Sequence, residues 1–300
     1  MRKLSLGLFA ILFYSLYLGT VFAQSEKVTI SFVPKPNQTN RLTNTQEINL
    51  VHTWEGNVPD NSAALESQKV LVKIITEMIY QSGPIDAEGH LEVEATIEKM
   101  TADITVNGKP HPEADEAAKA AGAKVKAIFD GSGKMIEAKT SSGMGNELEQ
   151  LMQTWKSSFG TFPSGQIGVG DSILISTINF LPISMISETP TKIPGISKAK
   201  LVVLDKEADS RIANFELLNE ASLIKTDEIE LSMGKVTYNL DIKMTGGGKL
   251  QFNLDKCMVK ESESSMNISG KITFQLKNSK LVLPYLTLKG NTKTTYMGTN

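Results

Sequence analysis

Apolar and polar residues alternate with a period of two along most of this chain, the spacing of a strand that buries one face. Val28, Ile30 and Phe32 alternate until Pro34 and Pro36 end the segment. Residues 37–46 are rich in Asn and Thr and predict a loop or edge, and 47–54 reads as extended. Over 68–80 two patterns compete. Leu71, Ile74, Ile75 and Met78 would make a helical face, whereas Val70, Val72, Ile74, Thr76, Met78 and Tyr80 alternate. The density of β-branched side chains, stiff at χ1, favours the strand. Leu91, Val93, Ala95 and Ile97 then alternate with Glu92, Glu94, Thr96 and Glu98, a half-buried strand with an acidic solvent face.

Turn signals punctuate these runs. Gly83, Pro84 and Gly89 mark one turn, and Asn107-Gly108 marks a tight one. Residues 109–119 are polar, hold two prolines and read as a surface loop. Residues 125–129 and 135–138 flank Asp130-Gly131-Ser132-Gly133 and predict a hairpin. Further strands are expected over 172–180, 199–205, 211–218, 230–244, 249–254 and 258–275, with Gly246-Gly247-Gly248 separating two of them. A last extended segment falls over 280–288, and the final ten residues read as loose.

One segment reads as a helix. After Asn146 as N-cap, Leu148, Leu151, Met152, Trp155 and Phe159 share one helical face. The expected fold class is therefore α+β, mainly β. Curved antiparallel sheets lie in two β-rich halves, with one prominent amphipathic helix near 146–159. The halves are 24–160, ending in the helix, and 161–300; one continuous domain is the alternative. A weak internal echo relates the hairpin at 128–140 to residues 253–263, each an apolar-Asp pair, a reversal and a polar-faced strand.

The amino terminus changes the picture of where the chain works. Arg2 and Lys3 precede an uncharged apolar run over 4–18, and Val21-Phe22-Ala23 offers small or modest residues to a signal peptidase. This predicts a secretory signal peptide over 1–23, cleaved after Ala23. An uncleaved membrane anchor is the competing reading, disfavoured because Gly19 and Thr20 break the run before the cleavage site. No later stretch is apolar enough for a membrane-crossing helix, so the mature chain is expected to be soluble, in the periplasm or outside the cell.

Charge narrows the partners. The chain has 31 basic and 33 acidic residues; removing Arg2 and Lys3 with the leader leaves 29 against 33. That mild balance gives no footprint for nucleic acid and no polybasic patch for anionic lipid. Cys257 is the single cysteine, so no intrachain disulfide forms, and it reads as a small buried apolar residue.

Phe162-Pro163-Ser164-Gly165-Gln166-Ile167-Gly168-Val169-Gly170-Asp171-Ser172 resembles the central motif of a family of exported bacterial β-rich proteins of unknown function. There, a Pro is followed by Val-Gly-Asp and a strand. The Gly-rich turn at 246–248, Leu250, Phe252, Leu254-Asp255 and the Ser/Glu-rich strand ending near Met266 extend the resemblance over roughly 120–275. Family members often carry Trp after Val-Gly-Asp, where this chain has Ser172 and Ile173. The resemblance implies architecture and compartment and supplies no activity.

No chemistry stands out. His52, His90 and His111 lack the helical spacing of a zinc site and there is no Cys cluster. Glu113, Asp115 and Glu116 lack calcium-loop spacing. The glycines of 130–133 and 165–170 lead into strands, not helix amino termini, so they make no phosphate cradle. No Gly-x-Ser-x-Gly elbow is present. No catalytic, cofactor or metal residues are nominated, and no cofactor is expected. Three readings follow. The first is a non-catalytic binding or carrier module for a hydrophobic small molecule, with Met78, Met100, Met152 and Met185 supplying adaptable surface. The alternative is a structural or interaction protein of the cell envelope that binds another protein through sheet edges or loops. An enzyme is the least favoured.

Overall fold

The computed structural model describes residues 27–31, 35–56, 67–131, 135–140, 166–181, 191–207, 210–231, 234–276 and 283–299. The strands are β1 (Val28–Thr29), β2 (Thr39–Glu55), β3 (Gln68–Ile85), β4 (Leu91–Val106), β5 (Lys109–Pro110), β6 (Lys124–Phe129), β7 (Met135–Thr140), β8 (Gln166–Ile167) and β9 (Ser172–Leu181). They continue with β10 (Thr191–Glu207), β11 (Ser210–Leu231), β12 (Gly234–Asn253), β13 (Met258–Leu276) and β14 (Tyr285–Thr299). A 3-10 turn spans Pro112–Ala120.

The sheet is antiparallel throughout and runs β7-β6-β4-β3-β2-β14-β13-β12-β11-β10-β9, with β5 paired to β4, twelve strands in all. A separate pair, β1 and β8, joins Val28 to Ile167. The carboxy-terminal strand β14 lies between β2 and β13 and so stitches the two ends of the chain together.

This corrects the α+β expectation. Among the described residues the fold is nearly all β, at 81% strand, with a large antiparallel sheet of twelve strands. Among the described residues the 3-10 turn is the only helical element. The segment 146–159, read as an amphipathic helix, lies outside the described residues, as do the leader 1–23 and its cleavage site.

Alternation builds the sheet. In β12, Val236, Tyr238, Leu240, Ile242 and Met244 are buried while Lys235, Asp241 and Lys243 are exposed. The same phase defines an inner and an outer face across the sheet. Long strands must bend to bury that inner face: β11 has 22 residues and would span roughly 70 Å if straight. The closest backbone approaches fall on glycine. A Cβ on Gly246 or Gly248 would collide with the Ser265 or Glu263 carbonyl oxygen of β13, and one on Gly290 with the Asn49 carbonyl of β2. The three glycines expected to separate two strands therefore lie inside β12, where backbone approaches backbone.

Three buried clusters line the inner face. The central one joins Leu50, Ile193, Leu240, Ile242, Ile272 and Leu288, and Trp54 stacks on Phe274 across the intervening β14, ring centroids 5.7 Å apart. At the β6 end, Phe129, Val93 and Ala127 pack with Ala120 of the 3-10 turn. At the β9 end, Val28, Ile30 and Ile167 of the small sheet cover Leu201, Phe215 and Phe252.

Two stretches read as loop or loose are central strand. Residues 39–46 pair with β3 and β14, and 291–299 pair with β2, those from Asn291 to Met297 also with β13. Their inward positions are polar, which hid the alternation. Thr76, Asn44, Tyr296 and Ser262 form one row across β3, β2, β14 and β13. Within 109–119 the chain forms β5 and most of the 3-10 turn where a surface loop was expected. Cys257 is half-buried in the β12–β13 turn with φ 54°, not a strand core residue, and burial pushes its thiol pKa up. Both echoing hairpins exist, β6–β7 and β12–β13, each with a register shift beside a buried Phe, Phe129 and Phe252.

Candidate functional site

The sheet has two ends, and they differ in chemistry. At one end β9 leaves a tight turn formed by Gly168-Val169-Gly170-Asp171. Gly170 takes φ 96°. The Asp171 carboxylate accepts the Gly168 N–H at 2.9 Å. The Gly170 N–H donates to the Leu201 carbonyl at 2.8 Å and the Leu201 N–H donates to the Asp171 carbonyl at 2.9 Å. The Val169-Gly170-Asp171 motif thus pins the start of β9 onto β10.

From there β9 pairs with β10 over Ser172–Leu181. Among the described residues no strand pairs with its other side. Its sequence, Ser-Ile-Leu-Ile-Ser-Thr-Ile-Asn-Phe-Leu, contains no charge, proline or glycine. An edge of this kind presents a row of backbone donors and acceptors and lacks the charges that usually blunt such edges. Exposed apolar side chains also stand on the outer face of β9, β10 and β11. Leu174 is 62% exposed, Ile196 53% and Leu218 54%. Leu174 and Leu218 flank Lys198 in register on β10, and Ile196 sits diagonally between them.

The opposite end is built otherwise. β7 has six residues, and its Glu137 and Lys139 form an ion pair at 2.6 Å. The outer face behind it is a charged ladder. Lys124 meets Glu94 at 2.7 Å, Lys126 meets Glu92 at 2.9 Å and Lys73 meets Glu47 at 3.0 Å. Glu92, Glu94 and Glu98 therefore face outward and are engaged, Glu98 by Arg41 at 3.2 Å. The Lys124 ammonium holds the Glu94 carboxyl below its ordinary value.

The titratable clusters have local explanations. His90 Nδ1 lies 3.5 Å from Asp86 Oδ2 and 3.4 Å from Glu88 Oε2, and ligand atoms of the three residues lie within 4.8 Å of one another. The Asp86 carboxylate accepts the His90 and Glu88 backbone N–H groups at 2.8 and 2.9 Å, closing the β3–β4 turn. These bonds, led by that from His90, lower the Asp86 pKa. The alternate spacing Asp86-x-Glu88-x-His90 was the available signal and was not singled out from the sequence. Lys225 pairs with Asp227 at 2.7 Å, and the Tyr238 hydroxyl donates to Asp227 at 3.5 Å. The His111 backbone N–H donates to Ile104 at 2.8 Å.

His52 is different. It faces inward, 5% exposed, and neither ring nitrogen has a hydrogen-bond partner among the described residues. Burial lowers its pKa, so it sits as neutral imidazole at neutral pH. Elsewhere an open recess of about 490 Å³ is lined by Glu47, Ile48, Val72, Lys73, Asp103 and Lys293 among others. Its charged lining does not match an apolar ligand.

No family model and no curated protein matches the chain. Among solved structures, the beta domain of the Bordetella autotransporter BrkA aligns over 84% of this chain and 98% of its own. Identity is 10% and the TM-score 0.20, too low to carry any argument about fold or function. The established description is a β-rich protein built on one large antiparallel sheet.

Proposed function

We propose that this chain is an exported interaction protein of the cell envelope that binds another protein by strand addition at β9. The observation that carries the reading is the ten-residue, uncharged β9, which ends the strand order among the described residues. Strand addition uses such an edge for affinity through main-chain hydrogen bonds, and alternate side chains for specificity. The exposed Leu174, Ile196 and Leu218 beside the edge supply an apolar contact next to those bonds. Export rests on the leader-like residues 1–23 and on the resemblance of the Val169-Gly170-Asp171 segment to exported bacterial proteins. The carrier reading has less behind it, because the described recess is charged.

A photoreactive amino acid at Leu174, introduced in the native host, tests this reading. Crosslinking to one defined protein is expected from Leu174 and not from Val51, an exposed outer-face position of the doubly paired strand β2. A Thr177→Pro or Ser176→Pro change should abolish the crosslink; alternate residues of an edge point their N–H groups outward, so one of the two removes an outward donor. Equal crosslinking from Leu174 and Val51 would overturn the proposal.

A further inference from the structure

We propose that the β3–β4 turn carries a binding site for a divalent transition metal of the zinc type, held by Asp86, Glu88 and His90. Among the described residues these side chains form the one group of three or more His, Cys, Asp and Glu whose ligand atoms all lie within 4.8 Å of one another.

Closing the turn accounts for only part of this cluster. The Asp86 N–H donates to the His90 carbonyl at 2.9 Å, and the Gly89 N–H to the Asp86 carbonyl at 3.1 Å. Asp86 Oδ1 accepts the Glu88 and His90 backbone N–H groups. These bonds use one carboxylate oxygen and neither the Glu88 nor the His90 side chain. The second oxygen, Oδ2, stands 3.5 Å from His90 Nδ1, and Glu88 Oε2 stands 3.4 Å from the same nitrogen. A charge-assisted hydrogen bond between such groups would run about 2.7–2.9 Å. Both contacts are longer than that, and Nδ1 carries at most one hydrogen for the two oxygens.

The spacing suits a shared cation. Zinc sits about 2.0–2.1 Å from an imidazole nitrogen and about 2.0–2.2 Å from a carboxylate oxygen. At a tetrahedral angle, a nitrogen and an oxygen ligand therefore stand roughly 3.3–3.5 Å apart. Both contacts of His90 Nδ1 fall in that range. The Glu88 side chain is 78% exposed and can adjust to close the remaining edge between the two oxygens. Asp86 is set in advance, because the bonds to its Oδ1 orient the carboxylate as outer-shell partners orient metal ligands. Two carboxylates offset the two positive charges of the ion. The imidazole donor favours a zinc-like ion over calcium or magnesium, which take oxygen ligands. Three protein ligands leave a further position to water.

The test uses the untagged mature chain, stripped of metal with a chelator. Zn²⁺ is titrated by calorimetry, and Co²⁺ is followed by visible absorption, which reports the coordination number. One Zn²⁺ per chain and a four-coordinate Co²⁺ spectrum are expected. Asp86→Asn keeps an Oδ1 acceptor for the turn and should weaken Zn²⁺ binding at least tenfold, as should Glu88→Gln. His90→Ala should abolish it. Glu88 is exposed, and an unchanged metal-free melting temperature in Glu88→Gln confirms folding. All three variants retain Cys257, His52 and His111. Unchanged Zn²⁺ binding in them would place the metal elsewhere and overturn the proposal, and so would a wild-type chain that binds no Zn²⁺.

Discussion

The β7 flank and the β9 flank belong to one sheet, each bury their own apolar cluster on its inner face and have contrasting outer faces. The β7 flank ends in a short strand carrying an ion pair, backed by cross-strand Lys–Glu contacts. The β9 flank ends in ten uncharged residues, backed by exposed Leu and Ile. Burial cannot explain the difference, since both flanks are sealed inside by buried Phe, Phe129 at one end and Phe252 at the other. A sheet needs only one apolar face to fold. What it carries on the other face, and on its edges, is free to serve protection on one flank and recognition on the other.

The largest effect should come from the two buried clusters. Phe129→Ala and Phe252→Ala should each cost about 3–5 kcal/mol. Because one sheet joins the two flanks, each variant should lower the midpoint of a single urea transition followed by circular dichroism. Two separate transitions, only one of which moves, would show that the flanks are independent units. Next comes the exchange of edges. Leu174→Lys should change stability by less than about 0.5 kcal/mol while reducing partner capture more than tenfold. The converse double change, Glu137→Val with Lys139→Val, should give the β7 edge a tendency to associate, read by light scattering.

His52 gives a pH effect belonging to neither flank but to the centre that joins them. Its pKa in the folded chain is lowered by burial, so the unfolded chain binds the proton more readily. This contribution is intact above the unfolded His value near 6.5 and is lost as pH falls below it towards the folded value. Melting temperature should drop between pH 7 and 5, and His52→Leu should flatten the dependence on this group. An unchanged slope in the variant would remove His52 as its source. The smallest effect separates paired from unpaired outer charge. Glu94→Gln should cost about 0.5 kcal/mol, and Glu216→Gln, which breaks no recorded ion pair, nothing measurable by the same denaturation.

Much of the sheet was legible because alternation is a local property. Strands β3, β4, β9 and the β6–β7 hairpin follow from runs such as Leu91, Val93, Ala95 and Ile97, and the outward Glu92 and Glu94 follow from the same period. The pattern failed where inward positions are polar. Asn40 and Asn44 in β2 and Thr292, Thr294 and Tyr296 in β14 gave no apolar alternation, so two central strands read as loop and loose end. It also failed at Gly246-Gly247-Gly248, where glycine usually signals a break and here permits close backbone approach.

No site residue was nominated from the sequence, and none could have been in the usual way. An edge is not a property of the residues in it. Ser172–Leu181 would be equally suited to a covered strand, and its uncharged sequence becomes informative only once β9 lies at the end of the strand order.

Where inward positions are apolar, the sequence by itself determined which residues point inward, because side chains alternate strictly along an extended backbone. It also determined the local turns, such as Asn107-Gly108 with both residues at positive φ. The strand order, the insertion of β14 beside β2 and the place of β9 at the end of that order among the described residues were decided by tertiary structure. Each depends on pairing between segments far apart in the chain, and such pairing is selected by the fit of whole strands around one core.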